Sequence, residues 1–415
     1  MSGKYRNNTL LKLIYIISMT MAFTTRLGDV QLDYKPAIYI SVFWLGLGFL
    51  DIFVSKHRFS KTTIGKFLKL NLYPCIILHV YSIVLMLAGI MNRSFMSSNI
   101  TVYVPVILGV LSVYLFGYRA INYNFYAMIL SWIISVIVSL FSKGFGIFAV
   151  AVMKVIDSNY SGPSDYRYNY LEINDLVLAF GYVLIYYMVS QEKLSRKNFL
   201  IITATAGMMF LGLKRISVLG MLVAIAFNYV LKSFGELKRE KICKLTCHVI
   251  FAVSLIFVVV LFSGDMFFSL VSSFGINTSG RTYFYKAAVD MASFSPSFMG
   301  IGRNALSFML NGGELSYLHV GGIHSDIIKM YVENGYIMFF FWLFINVYYI
   351  PKKYKKEFGT DSYSLYVAFL IYTFVLFFTD NTENYFICQV LRIGTPLAYA
   401  LRIKEKSLLE SRRIS

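Results

Sequence analysis

Residues Phe199–Leu231 read F-L-I-I-T-A-T-A-G-M-M-F-L-G-L-K-R-I-S-V-L-G-M-L-V-A-I-A-F-N-Y-V-L, and Lys214 and Arg215 are the only charges in the run. A helix needs roughly 20 apolar residues to cross a bilayer, so the stretch is too long for one span and right for two. The hairpin must turn at G-L-K-R-I-S, Gly212–Ser217, which sets two cations at or within the membrane boundary. Ionisable groups at that depth are costly and point to function. The plainer reading has both side chains snorkel to lipid headgroups.

The rest of the chain has the same character. Hydrophobic residues make up 57% and charged residues 14% of 415, with a mean hydropathy of +0.63. A soluble domain of that composition would expose large apolar patches, so an integral membrane protein is expected. No period-two alternation suggests an outer-membrane barrel, which leaves helices. The expected class is all-α and polytopic, with about twelve spans at residues 9–24, 36–54, 70–91, 99–118, 122–142, 173–190, 198–213, 216–232, 246–263, 331–350, 363–380 and 383–401. Gly144–Val155 is apolar but too short to span, and is expected to lie at the outer interface or re-enter. The first apolar stretch, Leu10–Phe23, lacks a small-residue cleavage site before the polar segment Thr24–Lys35 and reads as a retained span. No repeat relates the two halves, which counts against transporters built by duplication.

A net charge of +18 could suggest nucleic acid, but its distribution argues otherwise. Basic clusters fall in alternate loops: Lys56 to Lys69, Lys193 to Lys197, Lys232 to Lys244, Lys352 to Lys356 and Arg402 to Arg413, with Lys4 and Arg6 in the N-terminal tail. Cytoplasmic loops show this pattern, so both termini are expected in the cytoplasm and no nucleic-acid partner is. The four cysteines imply no disulfide framework, and the Cys243–Cys247 pair beside His248 lacks the second ligand pair of a zinc site.

Three units result: helices with short loops over 1–263, one large external loop over 264–330, and closing helices with a cytoplasmic tail over 331–415. The 264–330 loop is too apolar for disorder, and Tyr283–Met291 and Ala305–Leu310 suggest short helices within it. A second external loop, Asp157–Asp175, is rich in Tyr, Ser and Asp.

The large loop holds most of the candidate chemistry. N-T-S-G-R-T, Asn277–Thr282, puts Arg281 at a helix start with Thr278 or Ser279 as cap. A guanidinium beside unpaired helix-start amides suits phosphate oxygens; an ion pair with Asp290 or Asp265 is the alternative. In G-I-G-R-N, Gly300–Asn304, the glycines read as a turn for close backbone approach, with Arg303 projecting nearby. In G-G-I-H-S-D, Gly321–Asp326, Ser325 or Asp326 can cap a helix running through Tyr331 into the next span. His324 then stands before a positive helix end, which favours a neutral ring able to accept a proton; a ring bonded to a loop carbonyl is the bland alternative. His319 is a further candidate. D-N-T-E-N-Y, Asp380–Tyr385, offers carboxylates on the same face, although ordinary loop polarity also explains it. The 37 Phe and 32 Tyr are assigned mainly to span packing and interface belts.

The order of these motifs resembles the O-antigen polymerase and ligase superfamily. G-L-K-R-I-S looks like that family's arginine at the outer end of a mid-chain span, S-G-R-T like the Ser-Gly-Arg opening its large external loop, and S-P-S-F-M-G-I-G like the turn after that opening. G-I-H-S-D-I-I-K-M-Y-V-E-N-G-Y resembles its histidine-then-helix segment, in which a glycine lies about eleven residues beyond the histidine. Motif-level similarity runs from Gly212 to Asn384.

The resemblance implies a GT-C-like membrane glycosyltransferase of the bacterial plasma membrane, acting on undecaprenyl-diphosphate-linked repeat units. A capsule or O-antigen (lipopolysaccharide) repeat-unit polymerase is favoured over a ligase because the chain is so rich in Tyr and Phe. Arg281 and Arg215 would then hold the diphosphate and His324 deprotonate the acceptor hydroxyl. Lys214, His319 and Asp380 are candidate substrate contacts, as is Arg303, which matches no family position and is included for its place in the loop. No cofactor or metal is implied; a chain-length regulator protein and membrane lipid are the other expected partners. The rival from another class is a lipid-linked oligosaccharide flippase or transporter, which would carry its charges mid-span along a path through the bundle.

Overall fold

Helices dominate the computed structural model, which describes residues 8–28, 30–32, 35–54, 62–92, 102–157, 170–190, 195–275, 281–312 and 322–414. They are α1 (Thr9–Phe23), α2 (Lys35–Val54), α3 (Thr63–Leu87), α4 (Tyr103–Phe116), α5 (Ala120–Lys143), α6 (Gly146–Ile156), α7 (Asn174–Ser190), α8 (Arg196–Leu211), α9 (Arg215–Lys232) and α10 (Glu236–Phe262). Three short helices come next, α11 (Met266–Ser273), α12 (Arg281–Asp290) and α13 (Ala305–Gly312). The chain closes with α14 (Asp326–Phe344), a π-helical turn over Ile345–Tyr349, α15 (Ile350–Thr379) and α16 (Phe386–Ile414). A two-residue ribbon pairs Arg26–Leu27 with Val30–Gln31 in what the sequence reads as a plain polar segment.

Each stretch expected to span falls largely on a helix, but the division differs. Among the described residues five helical runs are long and apolar enough to cross a membrane: Thr63–Leu87, Tyr103–Lys143, Arg215–Lys232, Glu236–Phe262 and Asp326–Thr379. Two of them contain a pair of expected spans each, joined through a short turn: at Gly117–Arg119 in one, and at Gly359, where the backbone leaves helical geometry, in the other. In the last run Tyr354 and Tyr366 stack with ring centroids 4.3 Å apart. Twelve residues of straight helix would separate them by about 18 Å, so the run folds back at Gly359, whose φ is +83°. Among the described residues Thr9–Phe23, Ala37–Phe53, Gly146–Ile156, Asn174–Ser190 and Asn198–Leu211 are further apolar helical stretches of 10–17 residues.

The described residues of the basic clusters gather at one end of the bundle. Lys66 pairs with Glu357 at 3.3 Å, Arg239 with Asp361, and Glu240 with both Lys355 and Lys244. Arg402 donates to Ser190 Oγ at 3.1 Å, and Thr360 to Glu236 at 2.6 Å. The opposite end carries the 212–217 turn, the described residues of the 264–325 segment and the 380–385 turn, because the connecting helices run antiparallel.

Packing near that opposite end is set by one tyrosine. Tyr372 of α15 donates its hydroxyl proton to Leu178 O of α7 at 2.6 Å, so Ser217 Oγ, 2.7 Å away on α9, must donate to it. The three helices are thereby tied together inside the core, just below Lys214 and Asp380.

The 264–325 segment is anchored by a break in α14. At Gly335 the backbone leaves helical geometry (φ +74°, ψ −179°), which frees carbonyls one turn earlier. Ile301 N–H donates to Val332 O at 3.0 Å and Gly302 N–H to Glu333 O at 2.9 Å, while Tyr336 N–H reaches Phe298 O at 2.9 Å. A Cβ on Gly300 would stand 2.5 Å from Gly335 N and 2.6 Å from Glu333 O. The G-I-G turn therefore does what its glycines suggest: it lets two backbones touch. Tyr331 Oη adds a bond to Ser293 O at 2.7 Å, and Tyr81 Oη of α3 one to Met299 O at 2.7 Å.

Candidate functional site

Asp380 comes directly after the last residue of α15, almost wholly buried, and four groups converge on its carboxylate. Lys214 Nζ lies 3.5 Å from Oδ2. His324 Nδ1 lies 3.7 Å from Oδ1, which also accepts from Asn381 N at 2.8 Å and Tyr385 Oη at 3.0 Å. Lys214 extends the cluster to Glu172 Oε1 at 3.5 Å, just before α7. His324 and Glu172 keep about a third of their side chains exposed while Lys214 and Asp380 are covered, so the histidine and the glutamate form the open rim.

Burial by itself would raise the Asp380 carboxyl, but the His324 ring, the Lys214 ammonium and the Asn381 N–H hold it well below the usual carboxylate range. A depressed native value contributes stability that is present above the ordinary carboxylate pKa of about 3.9 and lost as pH falls below it. Wild-type protein in detergent should accordingly lose melting temperature on acidification through that range. Asp380→Asn should show a shallower acid slope together with a lower plateau at pH 7, measured by intrinsic fluorescence; parallel slopes would count against the cluster.

The backbone is strained where it enters the cluster from two sides. Among the described residues Leu213, Asn304 and His324 are the non-glycines with positive φ, and two of the three adjoin or belong to this cluster. Left-handed geometry costs on the order of 1–3 kcal/mol at a non-glycine residue, and such strain gathers at functional sites. At φ +55° His324 is held in place by the next two residues of the chain. Ser325 Oγ caps α14 by accepting from Ile328 N, and donates to Phe377 O at 3.2 Å. Asp326 N–H donates to Asp380 O at 3.2 Å, and Asp326 Oδ2 accepts from Thr382 Oγ1 at 2.8 Å and Glu383 N at 3.0 Å. Farther along α14, Lys329 donates to Asn384 Oδ1. D-N-T-E-N-Y is thus a clamp on the start of α14 as well as a source of carboxylate.

Arg281 is the first residue of α12, with Thr278 and Ser279 outside the described residues. Phe284, one turn on, places its ring 6.1 Å from that of His324. Burial raises the Tyr285 phenol above its ordinary value, the Arg281 charge opposes this and the Asp380 charge adds to it, so both charges act on a single ring. Among the described residues no ion pair joins Arg281 to Asp290 or Asp265. Arg215 is exposed at the start of α9, and its Nη2 donates to Lys154 O of α6 at 3.5 Å; Lys214, not Arg215, contacts Asp380. Arg303 is buried elsewhere, within electrostatic reach of Cys75, His79, Tyr103 and Glu333. His319 lies outside the described residues.

Residues 199–343 match the family model for O-antigen ligase. The match agrees with the O-antigen polymerase and ligase superfamily, whose motifs the sequence resembles, and supports a function of that type. Members of this family are membrane glycosyltransferase-like enzymes acting on lipid-linked glycans. Together with the apolar helices, the match points to a bacterial integral membrane protein. The matched segment runs from α8 almost to the end of α14 and includes Lys214, Arg215, Arg281, Arg303 and His324; Asp380, Tyr385 and Glu172 fall outside it. No curated protein matches the chain.

Sequence reading did not single out Glu172, Phe284, Tyr285 or Tyr385, and it offered Asp326 only as a possible helix cap, where the cap is Ser325 and Asp326 instead holds the 382–383 turn. A signal existed for Asp326, since Asp326, Lys329 and Glu333 recur at helical spacing in a segment otherwise apolar enough to be buried.

Proposed function

We propose that the protein polymerises lipid-linked glycan repeat units at the outer face of the bacterial plasma membrane. The observation that carries this reading is the half-open His324–Asp380–Lys214 cluster, beside the Arg281 helix start and at the end of the bundle opposite the basic clusters. By the positive-inside rule the basic end faces the cytoplasm, which puts the cluster outside and both termini within. Asp380 is suited to hold His324 through Nδ1–H, leaving Nε2 to accept the proton of an acceptor hydroxyl. The freed oxygen attacks the anomeric carbon of the growing glycan as the bond to undecaprenyl diphosphate breaks. Negative charge then builds on the leaving diphosphate, where the guanidinium and helix-start amides at Arg281 stabilise it. Arg215, likewise at a helix start, is assigned to the same diphosphate. Lys214 neutralises Asp380 and fixes its position.

Reconstituted protein supplied with lipid-linked repeat units is expected to give a ladder of polymer. Arg281→Lys keeps the charge but loses the planar fork, and should reduce transfer by about 10²-fold. A single transfer of glycan to a lipid A core acceptor would identify a ligase. Movement of repeat units across the bilayer without transfer would identify a transporter and overturn the assignment.

A further inference from the structure

At the basic end, α10 and the start of α15 part to leave a cleft of about 560 Å³. Its mouth is formed by Lys244, Lys352, Lys355 and Lys356 with His248, and no carboxylate lines it. Glu240, just outside, is shared between Lys244 and Lys355. Lys352 and Lys356 stand one helical turn apart on α15, exposed and with no carboxylate partner among the described residues.

The inner wall is apolar and aromatic, and it is made by the π turn. Pro351 has no N–H to donate, and Ile350 N–H reaches back to Ile345 O, an i to i+5 bond. Tyr348 within that turn bonds His248 Nδ1 of α10 at 2.9 Å through its hydroxyl and packs against Phe251 and Phe344 at ring-centroid distances of 5.3 Å and 5.7 Å. Phe344 is half-exposed, as are Leu245 and Val249 on the adjoining surface of α10. Cations at the mouth and apolar surface leading toward mid-membrane select a molecule with the same two-part chemistry. A soluble anion has no use for the aromatic wall, and a neutral lipid none for the lysines.

We propose that this cleft binds an anionic glycerophospholipid of the same leaflet, its phosphate between Lys352 and Lys356 and an acyl chain along Tyr348 and Phe344. The neighbouring 410 Å³ cleft at Lys66, Lys69 and Lys353 is a natural contrast. Glu357 lines it and holds Lys66, and Lys353 sits over the Tyr349 ring at 5.0 Å.

The test uses full-length protein in nanodiscs containing equal phosphatidylglycerol and phosphatidylcholine, with retained lipid counted by native mass spectrometry. Wild type should keep phosphatidylglycerol selectively. Lys352→Gln/Lys356→Gln should bind it about thirty-fold more weakly, at roughly fivefold per lysine. Added phosphatidylglycerol should raise the melting temperature of the wild type but not of the double variant, while Lys66→Gln/Lys69→Gln should behave as wild type. Equal retention of both lipids, or an equal loss in both double variants, would overturn the proposal. So would a comparable rise in melting temperature with millimolar inorganic phosphate alone, which would mark the cleft as a site for the free anion.

Discussion

His324→Asn is expected to lower glycan transfer by on the order of 10² to 10⁴, the usual cost of losing a general base, while the protein remains folded in the membrane. Asparagine suits this test because position 324 needs a residue that tolerates φ near +55°, and asparagine accepts the left-handed region better than alanine does. It removes the proton acceptor and preserves the backbone. Cells carrying the variant should accumulate single repeat units on the outer leaflet, with normal protein levels by immunoblot. Units stranded on the cytoplasmic leaflet would convert the protein into a flippase. Persistent long glycan would make the histidine a structural residue.

The second large effect is on the fold. Gly335→Ala puts a Cβ 2.2 Å from the carbonyl carbon of Met299 and 2.5 Å from Phe298 O, both backbone atoms that cannot rotate away. It also forces a side chain into φ +74° with ψ −179°, a region essentially reserved for glycine. Strain and clash together should exceed about 4 kcal/mol. Loss of the protein from membranes, or a melting temperature far below wild type, is the expected outcome. Gly207→Ala is the matched control: it lies within α8 with nothing within 4 Å of an added Cβ, and alanine there should be neutral or slightly stabilising. Equal behaviour of the two variants would mean that the break in α14 does not hold the loop.

How much of this is legible in the sequence depends on the range of the forces involved. Apolar runs reveal helices because burial in lipid is a property of each segment alone, and the start of α14 at Asp326 is a local matter of capping by Ser325. The turn at Gly359 is legible too, since it falls between the spans expected at 331–350 and 363–380, beside the basic run Lys352 to Lys356. Pairing in the site is hidden: Lys214 and Asp380 meet because α9, α7 and α15 are tied at Tyr372, and no local pattern records that contact. The choice between neighbours at 214 and 215 is equally hidden. Lys214 stands just before α9 and Arg215 opens it, so which cation turns inward depends on the left-handed twist at Leu213, and a leucine there gives no warning of it.

The break at Gly335 has a consequence for how this protein can vary. The chain reaches α14 at Gly302, which bonds the carbonyl of Glu333, and returns to it at Ser325, the cap of the same helix. Eight residues of α14, about 12 Å, separate the two moorings. The intervening segment is therefore a side excursion that leaves from and returns to one rigid rod. Lengthening such an excursion adds only a slowly growing closure cost, about 0.6 kcal/mol for each doubling. Changes of chain length between the two moorings are therefore expected to leave His324, standing beyond the second, in its place against Asp380.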